Sequence, residues 1–157
     1  MANVWNKYAA TAARRHGKPG RDIRPKSITI DIHSHAAVPQ AAAFVKPHLD
    51  PTSIPLAHFA SADTKELNQR QESDIRSRMT AYDERIADLD RMGVDKQLVM
   101  PPPPQCYHTL PADIAVPAAR MVNDGIAEYC ARHSDRLIPC GTVPLQDGLE
   151  AAIELEG

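Results

Sequence analysis

The strongest constraint on this chain is the order of its periodic segments, which runs strand, helix, strand, helix, strand, helix. From Ser27 to His35 the alternation is strict: Ile28, Ile30 and Ile32 share one face, and Thr29, Asp31, His33 and His35 share the other. From 36 to 68 the scattered prolines Pro39, Pro47, Pro51 and Pro55 read as a long irregular excursion with one short helix. Inserts of that length tend to be lids or binding segments. A helix then runs to Met92, starting at Ser77 or Thr80, with Ile86, Leu89 and Met92 on one side and Gly93 placed to end it. Lys96 to Met100 reads as a short buried strand halted by the prolines Pro101 to Pro104. A second helix spans about 113–133, with Ala118, Val122, Gly125 and Tyr129 in its inner stripe and Pro117 tolerated in the first turns. Arg136 to Val143 forms a third strand, and Asp147 with Glu150 has the capping spacing for one more helix.

Alternation of this kind implies parallel strands joined by crossover helices. A closed barrel needs eight strands and about 250 residues. The expected fold is therefore α/β, an N-terminal portion of a (β/α)₈ TIM barrel holding about three βα units. Residues 27–157 would be an incomplete barrel domain, and the end at Gly157 reads as a truncation. Such a piece would leave one sheet face and two sheet edges uncovered. Ahead of it, residues 1–26 read as a flexible basic arm: up to Ser27 there are seven Lys or Arg against one Asp. That start lacks the apolar core of a secretory signal.

Composition excludes several classes. The net charge of −2 gives no general reason to expect nucleic acid or an anionic membrane as partner. No apolar run approaches the roughly 18 residues of a membrane span. Cys106, Cys130 and Cys140 are odd in number and lack C-x-x-C spacing, which argues against a disulfide framework and a cysteine zinc site. Reduced thiols in a cytoplasmic protein are the simple reading.

The residues that carry chemistry are His33 and His35. Two apart on one strand, they project from the same face, and at the strand's C-terminal end they reach the catalytic mouth of a barrel. Two imidazoles so held can take adjacent positions on one divalent ion. On this reading the isoleucines meet the surrounding helices, and Asp31 joins the histidines in the lumen. Burying such polar groups costs roughly 2–7 kcal/mol each without a partner, which a metal would supply. Taken alone, His-x-His is as well explained by chance; the strand position and the βα pattern downstream favour the metal.

The stretches IDIHSHAAVP, YDERIADLDRMGVDKQLVMPPPP and HSDRLIPCGTVPLQD resemble, in order, the opening strand, first helix with second strand, and third-strand segment of the amidohydrolase-related superfamily. The similarity is to its branch containing aminocarboxymuconate-semialdehyde decarboxylase. The resemblance implies that His33 and His35 are two metal ligands, the metal being zinc with manganese as the alternative. It also implies that a further histidine and an aspartate from later strands complete the site, with another histidine in acid–base chemistry. No catalytic residue beyond the ligand pair is assigned in this chain. His48, His58, His108 and His133 read as loop or surface residues.

What the resemblance implies of function is non-oxidative decarboxylation of an unsaturated or aromatic carboxylic acid by the full-length parent, the isolated chain being inactive. Such small carboxylates are held by arginine or lysine, and Arg70, Arg76 and Arg78 precede the first clear helix; Arg76 and Arg78 are the substrate candidates. A solvated helix face balanced by Glu72 and Asp74 is the plainer explanation for any single one. The resemblance also implies a homodimer of the full-length enzyme. Two rival readings stand beside this one: a metal-dependent hydrolase of the same superfamily, and a non-catalytic fragment.

Overall fold

The computed structural model describes residues 28–50 and 59–156. Strand β1 (Ile30–His35) leads into a short helix α1 (Pro39–Val45) that ends in a 3₁₀ turn over Lys46–His48. Two further helices follow, α2 (Ala62–Ile75) and α3 (Tyr82–Met92), and then β2 (Lys96–Met100). A 3₁₀ turn over Pro103–Cys106 precedes the long helix α4 (Ala112–Ala131), strand β3 (Leu137–Pro139) and helix α5 (Gly148–Glu156). The expected arm at 1–26, and His58, lie outside the described residues. No described helix is long and apolar enough to cross a membrane.

The three strands form one parallel sheet in the order β1-β2-β3. This is the βα succession read from the sequence, over three of the strands a barrel would need. Helix ends follow local chemistry. Gly93 closes α3 in the left-handed region, at φ 67°, where a glycine carries no Cβ penalty. Asp147 caps α5, its Oδ1 accepting the N–H groups of Leu149 and Glu150 at 3.0 and 3.1 Å.

The core lies between α4 and one face of the sheet. Ala115, Ala118, Val122, Ile126 and Cys130 of α4 are buried, as are Val99 of β2, Leu137 of β3 and Leu89 of α3. Helix α1 packs on α4 through Val38, Ala41 and Val45. Gly125 is the contact point: a Cβ there would stand 2.6 Å from Val38 Cγ1. Val38 is pinned in turn by Gln105, whose side chain accepts from Val38 N at 2.8 Å and donates to Val38 O at 2.9 Å. One amide thus joins the segment after β1 to the segment after β2.

Two expectations are corrected. The excursion at 36–68 holds α1 and the first half of α2, a full helix of 14 residues capped by Ser61, which accepts from Thr64 N. It buries none of its residues, so no apolar stripe announced it. The isoleucines of β1 do not meet helices: Ile28, Ile30 and Ile32 are 74%, 52% and 72% exposed. The cause is a break in register. Ile30 and Asp31 pair with Lys96 and Gln97, but Ser34 and His35 pair with Val99 and Met100, so β1 carries one extra residue between Asp31 and Ser34. Each such insertion exchanges the faces of everything beyond it. Asp31 and Ser34 therefore both lie on the helix-covered face, while Ile30 and His35 lie on the open one.

Candidate metal centre

The bulge assembles the site. Without it, a strand continued from the Asp31–Gln97 pair would set His33 opposite Val99, under the helices. With it, the two histidine rings stand together on the open face at the C-terminal end of β1, centroids 5.1 Å apart and edge to face at 89°. His35 Nδ1 lies 3.1 Å from the Pro101 carbonyl oxygen at the end of β2. A carbonyl only accepts, so in the neutral ring Nδ1 carries the proton and Nε2 keeps its lone pair. A carbonyl partner on the far nitrogen is the usual support for a metal-binding imidazole. The isoleucines occupy the same face further down the strand, where branched apolar side chains fill the layers of a barrel.

Asp31 does not join the histidines. Its Oδ2 accepts from Gln97 Nε2 at 2.7 Å, and its Oδ1 accepts from His33 N at 3.1 Å. Behind the strand stands a residue the sequence reading passed over. Arg85 of α3 donates to Tyr129 Oη at 2.9 Å, to Gln97 Oε1 at 2.8 Å, to Ser34 Oγ at 3.2 Å and to the His35 carbonyl at 2.5 Å. The available signal was its position: Arg85, Leu89 and Met92 share one helix face, so a charge sat at the head of the buried stripe.

The remaining candidates are scattered. Arg76 and Arg78 are exposed, and no hydrogen bond or ion pair joins either to His33 or His35. Their turn nonetheless docks at the exit of β1, Ala37 N donating to Met79 O at 3.0 Å. Arg70 pairs with Glu66 on its own helix. His48 tilts against Phe44, His108 is exposed, and His133 stacks on Tyr82 at 5.4 Å. The thiols are free; burial pushes that of Cys130 up to about 11, with Arg85 pulling modestly the other way. Among the described residues no group of three His, Cys, Asp or Glu could hold a metal ion. The described residues supply two nitrogen donors of a type that suits zinc, and no third ligand is found among those residues.

No family model matches the chain. It is 30% identical over 134 residues to 2-amino-3-carboxymuconate-6-semialdehyde decarboxylase of Caenorhabditis elegans, a match covering 84% of this chain and 33% of the relative. The chain thus spans about a third of the length of the curated relative it matches. Among solved structures it is similar to a variant of 5-carboxyvanillate decarboxylase from Novosphingobium aromaticivorans, with bound manganese and 3-methoxy-4-hydroxy-5-nitrobenzoic acid. The identity there is 25% and the TM-score 0.63, over 88% of this chain and 40% of that one. A dihydroxybenzoic acid decarboxylase from Polaromonas, solved with manganese and 2-nitroresorcinol, shares the fold at 24% identity and a TM-score of 0.59. That match covers 83% of this chain and 34% of the other. In sequence and in fold alike, the chain is thus similar to a part of these decarboxylases.

Proposed function

We propose, from these matches and the sequence resemblance, that the whole protein belongs to the amidohydrolase-related family and is a metal-dependent carbon–carbon lyase removing carbon dioxide, without oxidation, from an unsaturated or aromatic carboxylic acid. His33 and His35 are two ligands of its divalent metal, zinc in the first instance and manganese as the alternative. One observation carries the reading: two imidazoles meet edge to face on the open sheet face at the C-terminal end of β1, with His35 Nε2 left free. When bound, the metal supplies Lewis-acid stabilisation of negative charge that develops on the substrate. The chain's own residues orient the donors: Pro101 O fixes the His35 ring, and the isoleucines below the pair keep that part of the face apolar. Arg76 and Arg78 are the proposed carboxylate-binding residues; the hydrogen bond from Ala37 N to Met79 O, which ties their turn to the exit of β1, supports that reading. The proposed enzyme is cytoplasmic, which the free thiols support, acts on a small carboxylate, as the decarboxylase relative does, and forms a homodimer as the whole protein.

The test is carbon dioxide release by the whole protein on a panel of hydroxybenzoates and muconate semialdehydes. Release that disappears on metal chelation and returns with zinc or manganese is the expected result. Turnover of amides or lactones in its place would reject the decarboxylase reading in favour of a hydrolase.

A further inference from the structure

We infer that Arg85 is a positioning residue for the metal centre, holding the β1 bulge that turns His33 and His35 to the open face; the inference rests on the metal-site reading above. Parity along the strand decides which face the histidines take. Regular pairing from Asp31 onward would bring both histidines under the helices, so the centre exists only while one extra residue stays inserted between Asp31 and Ser34. An unconstrained insertion gives up ladder hydrogen bonds, and something must compensate it. The guanidinium of Arg85 grips both sides. Below the bulge it bonds Gln97 Oε1, and the same amide's Nε2 bonds Asp31 Oδ2. Above the bulge it bonds Ser34 Oγ and the His35 carbonyl. Tyr129 Oη takes Nε and fixes the plane of the group from α4. Residues 32 and 33 are bracketed between these anchors. The rigid planar fork is what allows one side chain to serve so many acceptors; an ammonium on a flexible stem does not reproduce it.

The experiment titrates the whole protein with Co²⁺ alone, followed by calorimetry and by the visible spectrum of the bound ion, with thermal melting recorded separately. His33→Ala and His35→Ala report on the metal reading; Arg85→Met, Arg85→Lys and Ser34→Ala report on the clamp. Leu89→Ala, a core truncation on the same helix, controls for lost packing. Loss of Co²⁺ binding in both histidine variants is expected. Both Arg85 variants should bind about 10- to 100-fold more weakly with an altered spectrum, the range for residues that orient a metal's ligands. Ser34→Ala, which also gives up the bond from Ser34 Oγ to Leu98 O, should bind several-fold more weakly with a smaller fall in melting temperature than Leu89→Ala shows, and it decides the matter if the Arg85 variants do not fold. Leu89→Ala should melt earlier yet bind normally. Wild-type affinity and spectrum in Arg85→Met or Arg85→Lys, or, with those unfolded, in Ser34→Ala, while the histidine variants lose binding, would overturn the clamp and leave the metal site standing. An equal loss in Leu89→Ala would reduce Arg85 to packing and overturn it too. Undiminished binding in His33→Ala and His35→Ala would instead sink the metal site itself.

Discussion

Replacing Gly125 by alanine sets two opposed effects against each other at one atom. Gly125 lies inside α4, where glycine is less favourable than alanine by about 1 kcal/mol, so propensity alone makes Gly125→Ala stabilising. The new Cβ, however, would lie 2.6 Å from Val38 Cγ1 and 2.8 Å from Val38 Cγ2. Val38 has little room to retreat. Its χ1 is stiff because it is β-branched, and Gln105 holds its N–H and its carbonyl. Overpacking of this kind costs about 1–3 kcal/mol, so the variant should lose about 0–2 kcal/mol net. Shortening Val38 to alanine removes both offending methyls. In a Val38→Ala background, Gly125→Ala should then show its helix preference and stabilise by up to about 1 kcal/mol. Urea unfolding of the wild type, both single variants and the double variant gives the cycle, with a coupling of about 1–3 kcal/mol. Should Gly125→Ala stabilise equally with valine or alanine at 38, the close approach would be irrelevant and the reasoning wrong. The outcome bears on the site, since Val38 lies three residues beyond His35 and any shift there is carried into the end of β1.

Other consequences follow from the same geometry. In the whole protein, His33→Ala and His35→Ala should each abolish decarboxylation and metal retention, read by turnover and metal analysis; wild-type turnover in either would remove that residue from the site. Asn123 lends its amide to both Thr142 N and Thr142 O, so Asn123→Ala leaves these groups unpaired and should cost about 1–3 kcal/mol in thermal or urea unfolding. Cys130 should react with thiol reagents far more slowly than Cys106 or Cys140 near neutral pH, because it is buried and its thiol resists ionisation. Because the folded state raises that pKa, stability from this group is present below the ordinary thiol value of 9.0 and lost as pH rises through about 11. Cys130→Ala should flatten the alkaline part of a stability–pH curve; an unchanged slope would show that the group does not contribute.

Sequence patterning reached the parts of the fold where one local rule acts unopposed. Strand β2 runs from Lys96 to Met100 as read, because its apolar residues are bounded by a charge and a proline run. Helix α3 stops at Gly93 and α5 starts after Asp147 for reasons carried by single residues. Helix α2 escaped because it rests on propensity and a serine cap, with no buried face for periodicity to register. The bulge escaped for a different reason. Period-two alternation is a statement about neighbours, and an inserted residue is visible only from the partner strand, 66 positions away in the Asp31–Gln97 contact. The two histidines share a face as their spacing implies, because that spacing survives the insertion; the faces assigned to Asp31 and the isoleucines do not hold, because their spacing does not survive it. Arg85 acts on three separate segments, β1, β2 and α4, none of them adjacent to it in sequence, and only its unusual place in an apolar stripe marked it.

The outer margin of β3 has a consequence for growth of the sheet. Arg136 O and Cys140 N point toward β2, so Leu137 and Pro139 point away from it. Proline brings no N–H, and the Leu137 N–H is already given to His133 O at 2.8 Å. That rim therefore presents carbonyl oxygens and nothing to donate. A strand laid alongside must bring its own N–H groups, and a second copy of the same rim cannot supply them, so pairing of β3 with β3 is blocked by a hydrogen-bond mismatch that needs no charge and no covering helix.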